Sequence, residues 1–230
     1  MKLEDFRSVL ESELQWRQEE ITFFKNQLNN FTEDEDKNRY RKSLVLILYS
    51  HLEGFMKLSL LSYVQYLNSL GLKNNQVKNE LKASSINIAF RNYENKEIHI
   101  REIKDHDGKI DSELDKFYRR VQMILELEPL EESNLSIDDT VINTESNLWY
   151  VVLQKNLYRI GLPINLFDSM QKDINALVHR RNSIAHGDKD SGVKEKEFEN
   201  WMNKTNTILE DTIKILYDHA KNKKYLKEGA

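Results

Sequence analysis

Arg181, Asn182 and His186 are the residues whose types and spacing suit chemistry. They lie in the stretch Leu177-Val178-His179-Arg180-Arg181-Asn182-Ser183-Ile184-Ala185-His186-Gly187. On a helix turning about 100° per residue, Asn182 sits about 100° and His186 about 140° round from Arg181. Asn182 and His186 are i,i+4 neighbours, and the long arm of Arg181 reaches the same site. His179 stacks one turn below Asn182. Val178, Ile184 and Ala185 fall within about 60° of Arg181, turned away from His186, and suit a core. A permanently charged guanidinium beside an imidazole that titrates near neutrality suits phosphodiester chemistry.

Spacing alone does not decide this. With 6 His and 11 Arg in 230 residues, random placement gives roughly 0.3 Arg-x4-His pairs. The chain has two, the other being Arg101–His106, whose histidine is flanked by acids and followed by a turn signal at Asp107-Gly108. The first pair has the better context. Phe167, Met170, Ile174, Leu177, Val178, Ile184 and Ala185 recur at helical spacing, and Gly187 supplies a C-cap. On spacing alone, a capped helix whose cations complement its dipole stays equally open.

The elements that must position this pair read as helices. The periodicity predicts a helix over 3–31, with Leu3, Phe6, Leu10, Leu14, Ile21, Phe24 and Leu28 near one face, then an acidic solvated loop at 32–36. A long second helix covers 37–70 and ends at Gly71; its opening charges Lys37, Arg39, Arg41 and Lys42 read as a solvated turn. A shorter helix spans 74–90. Residues 91–111 read as irregular, 112–128 as a helix ending before Pro129, and 130–145 as a loop with a short extended piece at Thr140–Ile142. Helices follow at 146–160, stopped by Gly161 and Pro163, at 164–186, and at 193–220, separated by a turn at 188–192. Residues 221–230 form a frayed basic tail. The fold class is all-α, an antiparallel bundle of long helices in one domain over 1–230, with 91–111 and 130–145 as irregular insertions.

Composition narrows the function classes. Two prolines, seven glycines and 31% charged residues fit long helices. No cysteine means no disulfide framework and no thiolate metal site. The start Met1–Phe6 has no apolar signal core, and runs such as Leu44–Tyr49 fall far short of a membrane span, so a soluble cytoplasmic protein without a membrane partner is expected. At a net charge of −4, any nucleic-acid site must be local. Asp105-His106-Asp107 has no second cluster to complete a metal site, and no Gly-rich phosphate loop or zincin motif occurs. No metal or other cofactor is expected.

Arg181-Asn182-Ser183-Ile184-Ala185-His186-Gly187 resembles the signature of the HEPN superfamily: Arg, a polar residue, three variable positions, then His. Tyr49-Ser50-His51-Leu52-Glu53-Gly54-Phe55-Met56-Lys57 resembles the earlier helix of HEPN nucleases, including its Glu-x3-Lys element. Ser146-Asn147-Leu148 and Ile160-Gly161-Leu162 resemble the lead-in to the motif helix. The likeness covers most of the chain and is nearest to stand-alone HEPN nucleases of this length. It implies an all-α, metal-independent endoribonuclease, often in a toxin–antitoxin or phage-defence setting, working as a homodimer with a composite site.

The roles that follow are expectations. His186 takes the proton from a ribose 2′-hydroxyl or gives one to the leaving 5′-oxygen. Arg181 binds the scissile phosphate and stabilises its transition-state charge. Asn182 orients His186 or holds a phosphate oxygen. Glu53, an acid between Leu52 and Phe55, needs a partner; Arg181 and Lys57 are the two candidates. His179 and Arg180 either widen an RNA-binding face or are simply solvated. One Arg–His face offers few catalytic groups, and a two-fold dimer would bring two together over one cleft. The rival functions are a non-catalytic HEPN dimerisation module that partners an antitoxin or a nucleotidyltransferase, and a bundle that binds nucleotide or RNA without chemistry.

Overall fold

A computed structural model describes residues 1–100, 111–187 and 192–227. Among the described residues the chain forms eight α-helices and no strand. They are α1 (Leu3–Asn26), α2 (Asp34–Asn68), α3 (Asn79–Ser85), α4 (Asn87–Glu94), α5 (Ser112–Glu131), α6 (Tyr150–Arg159), α7 (Gln171–Ala185) and α8 (Glu195–Lys221).

The core is built round α2, which packs against α1, α7 and α8. Leu44, Val45, Leu48, Tyr49, Leu52, Phe55, Met56, Leu60 and Tyr63 along it are at most 2% exposed. This helix holds an 18-residue window of mean hydropathy 1.4, long and apolar enough to cross a membrane. The expectation that no segment approaches that length was therefore too strict, because it counted unbroken apolar runs. More than half of the window is buried against the neighbouring helices, as befits a core helix apolar on nearly all sides. Contacts fix the directions. Glu4 meets Tyr217, Gln18 meets Glu210 and Lys25 meets Glu199, so α1 runs antiparallel to α8. Tyr40 reaches Phe24, His51 reaches Glu20 and Tyr63 reaches Phe6, so α1 also runs antiparallel to α2.

Several boundaries differ from the sequence expectation. Asp34, Glu35 and Asp36 are the first turn of α2 rather than a loop, where carboxylates complement the positive helix end. Arg41 is not solvated: it is 7% exposed and donates to Asn38 and to the Val193 carbonyl, tying the lead-in of α8 to α2. Residues 79–94 are two helices jointed at Ile86, which is buried at the bend. α5 runs through Pro129 to Glu131. A proline in the last turn removes only one helical hydrogen bond, and Asn74 holds the end by donating to the Leu130 carbonyl at 2.9 Å. Asp139–Val141 is a 3₁₀ turn instead of an extended piece. The tail is packed as far as described: Tyr225 is 4% exposed and Leu226 bridges Val77. Arg101–His106, Asp105–Asp107 and most of the turn at 188–192 lie outside the described residues.

His219 on α8 is 5% exposed. Burial, with Lys224 and Lys78 adding, pushes its imidazole down to about 4. Unfolded, a histidine binds its proton near pH 6.5. Between those values the unfolded chain holds more protons, so stability falls as pH drops from about 6.5 to about 4, by up to about 3 kcal/mol. Urea midpoints at pH 7 and 4.5 should therefore drop further in wild type than in His219→Asn. Equal drops would contradict this assignment.

Candidate active site

The last turns of α7 carry the pair, and the core side of that helix sets their direction. Ile174, Leu177 and Val178 are at most 2% exposed, and Ile184 packs partly against the same core. Ala185 is exposed rather than buried, because the core ends before the helix does. The helix stops as expected. Gly187 has φ +88°, His186 is the C-cap, and the His186 N–H donates to the Asn182 carbonyl at 2.9 Å. Glycine enters this left-handed region without the Cβ penalty. The His186 side chain is left exposed at the helix end.

Arg181 is half-buried and held from three sides. Its Nη1 donates to Asn182 Oδ1 at 2.8 Å and to Asn147 Oδ1 at 3.1 Å. Its guanidinium carbon lies 4.9 Å from the ring centroid of Tyr49, within cation–π range. Asn182 therefore braces Arg181 through its side chain and His186 through its backbone carbonyl.

Asn147 comes from a strained turn. Glu145 (φ 49°) and Ser146 (φ 70°) are both left-handed without being glycine, each at a cost of order 1–3 kcal/mol. The surroundings fix the turn. Asn156, 1% exposed, accepts from the Asn143 N–H at 3.0 Å and donates to its carbonyl at 2.8 Å. Lys155 pairs with Glu145 at 2.9 Å. The Leu148 N–H donates to the Tyr49 hydroxyl at 2.8 Å, and Asn175 accepts from the first N–H of α6 at 2.9 Å. This turn takes the place of the expected first turn of a helix at 146, and α7 starts at Gln171 rather than 164, after the 3₁₀ turn Asp168–Met170.

Tyr49 joins the two halves of the site. Burial pushes its hydroxyl up to about 12; the Leu148 N–H and the Arg181 charge oppose this, and the Glu53 carboxylate adds to it. The group therefore stays protonated near neutrality, accepting from the Leu148 N–H within electrostatic reach of the Glu53 carboxylate. Here the geometry corrects the expected Glu53 partner. Among the described residues Glu53 forms an ion pair with neither Arg181 nor Lys57. The Glu53 carboxylate bears instead on the Tyr49 hydroxyl, one helical turn earlier. Lys57 is exposed. His51, in the same segment, turns to α1 and pairs with Glu20 at 2.9 Å.

His179 is exposed, with its ring edge-on to Trp149 at 4.8 Å. Arg180 is half-buried and donates to the Gly192 carbonyl at 3.0 Å, holding the return to α8. Tyr49 and Asn147 carry no role on sequence reasoning, although both lie in the segments resembling HEPN nucleases. The i, i+4, i+8 row Tyr49–Glu53–Lys57 marks one face of α2 and is the signal that points to Tyr49. Among the described residues no three His, Asp or Glu side chains are grouped to hold a metal ion.

Tyr49→Phe keeps the ring under Arg181 but strands the buried Leu148 N–H. We expect a loss of about 1–3 kcal/mol, seen as roughly 2–10 °C in Tm. An unchanged melting curve would contradict the hydrogen bond.

A family model described as HEPN_MAE_28990-like HEPN matches residues 6–225. The chain belongs to this HEPN family. The match spans Tyr49 on α2, Asn147 in the strained turn and the Arg181–His186 turn of α7 within one HEPN unit. No curated protein and no solved structure matches the chain. HEPN membership points to a nuclease or RNA-related function, and the family is commonly ribonucleolytic.

Proposed function

We propose that this HEPN protein is a metal-independent endoribonuclease. The observation that carries the reading is the pairing of an exposed His186 imidazole with a guanidinium held by Asn147, Asn182 and Tyr49 on the same helix end. A cation fixed in advance needs little reorganisation when charge builds up on a phosphoryl group. In the reaction the ribose 2′-oxygen attacks the adjacent phosphorus and the bond from phosphorus to the 5′-oxygen breaks. One proton leaves the 2′-hydroxyl and one reaches the departing oxygen. His186 performs one of these transfers. Arg181 neutralises the pentacoordinate phosphorane. The products are a 2′,3′-cyclic phosphate and a 5′-hydroxyl.

The proposed assembly is a homodimer that sets two such faces over one cleft and supplies the local positive charge a net acidic chain needs for RNA. A toxin–antitoxin or phage-defence setting in the cytoplasm, with an antitoxin as further partner, belongs to the same proposal. A non-catalytic interaction module is favoured by one observation: Arg181 already bonds within its own chain, where it ties the Asn147 turn to α7. RNA incubated with purified protein in EDTA separates the two. The nuclease cleaves it and spares both DNA and RNA carrying 2′-O-methyl at the cut position, because the nucleophile is missing. A requirement for Mg²⁺ or Mn²⁺, or cutting of either blocked substrate, would overturn the mechanism. Intact RNA throughout would favour the interaction module.

A further inference from the structure

Among the described residues, α5 carries an apolar face that no other part of the chain covers. Phe117, Val121, Ile124 and Leu125 are 60%, 37%, 66% and 57% exposed. Their i, i+4, i+7, i+8 spacing puts them on one side of the helix. The other side of α5 is anchored. Asp115, 2% exposed, pairs with His99 at 2.6 Å and accepts from the Ile100 N–H at 3.0 Å. Arg119 donates to the Tyr93 and Ile98 carbonyls, and Asn92 to Glu126. The inner face is thus settled, and the stripe points outward. Apolar side chains scattered singly need no explanation on a surface, but a contiguous stripe marks a contact.

The charges along α5 indicate what covers it. Lys116 and Arg120 lie in its first half, Glu128 in its last turn and Glu132 at its C-cap. Lys116, Arg120 and Glu128 enter no ion pair among the described residues. We propose that this face is an interface with a second copy of the chain, α5 against α5, antiparallel across a two-fold axis near Ile124. That register sets Arg120 of each copy level with Glu128 of the other, and Lys116 level with Glu132. The pattern is self-complementary, as an isologous contact requires. RNA or an anionic membrane would meet the acidic end, and neither would cover the stripe as well.

α5 packs chiefly on α4, not on α7. The contact is therefore separate from a pairing of motif helices and adds its own two-fold step to any assembly. One helix pair buries less than a standard interface, so the association should be seen in the micromolar range.

Light scattering at about 100 µM on wild type and Ile124→Lys tests it. Ile124 is exposed, so the variant should fold normally. Wild type is expected above the 27.3 kDa monomer mass, and Ile124→Lys at half the wild-type mass. Arg120→Glu and Glu128→Arg should each weaken assembly alone and recover it when mixed, because the heterodimer restores both charge pairs. A monomeric wild type, or an Ile124→Lys mass equal to wild type, would overturn the interface. No recovery in the mixture would overturn the antiparallel register. The readout is mass, so it stands whether or not the protein cuts RNA.

Discussion

His186→Ala is expected to lower RNA cleavage by at least ~10²-fold, the contribution of a positioned general acid–base group. The fold should barely notice. The side chain is exposed, and the link of His186 to α7 is its backbone N–H on the Asn182 carbonyl, which alanine keeps. Circular dichroism and Tm should therefore match wild type within the ordinary scatter for surface substitutions. A variant that keeps its helix content and cleaves like wild type would remove His186 from the chemistry. A variant that loses both activity and Tm would instead assign the residue to helix capping.

Arg181→Lys should be nearly as damaging although it keeps the charge. Its Nη1 bonds two side-chain oxygens while the guanidinium carbon lies over the Tyr49 ring. A lysine ammonium offers donors but no plane and no fork. Losing one preorganised donor at a developing oxyanion typically costs about 10²–10³ in rate, and that is the loss expected in single-turnover cleavage. The same change loosens the Asn147 turn, so a small fall in Tm should accompany it. Near-normal turnover would show that the guanidinium is a structural tie and would remove Arg181 from the chemistry.

The helix inventory and the motif turn were legible from sequence for a physical reason. Ile174, Leu177 and Val178 face the core at helical spacing, and Gly187 sits where a left-handed residue must end the helix. Both signals are local. What was hidden is long-range. Asn147 reaches Arg181 only because Glu145 and Ser146 adopt left-handed backbone, which nothing in their side chains announces, and which Asn156 and Tyr49 enforce from elsewhere in the chain. Glu53 showed a need for a partner but not which one. Its carboxylate bears on the hydroxyl of Tyr49, whose ring lies under the guanidinium. Arg41 read as solvent-facing because its neighbours are charged, whereas the carbonyl of Val193 draws it inward.

The most direct test of the central claim is the chemistry of the cut ends. A defined RNA oligonucleotide digested in EDTA and analysed by mass spectrometry should yield one fragment with a 2′,3′-cyclic phosphate and one with a 5′-hydroxyl. Both should be absent with His186→Ala. Fragments ending in 3′-hydroxyl and 5′-phosphate, or the same fragments from the His186→Ala protein, would contradict attack by the 2′-hydroxyl at this site.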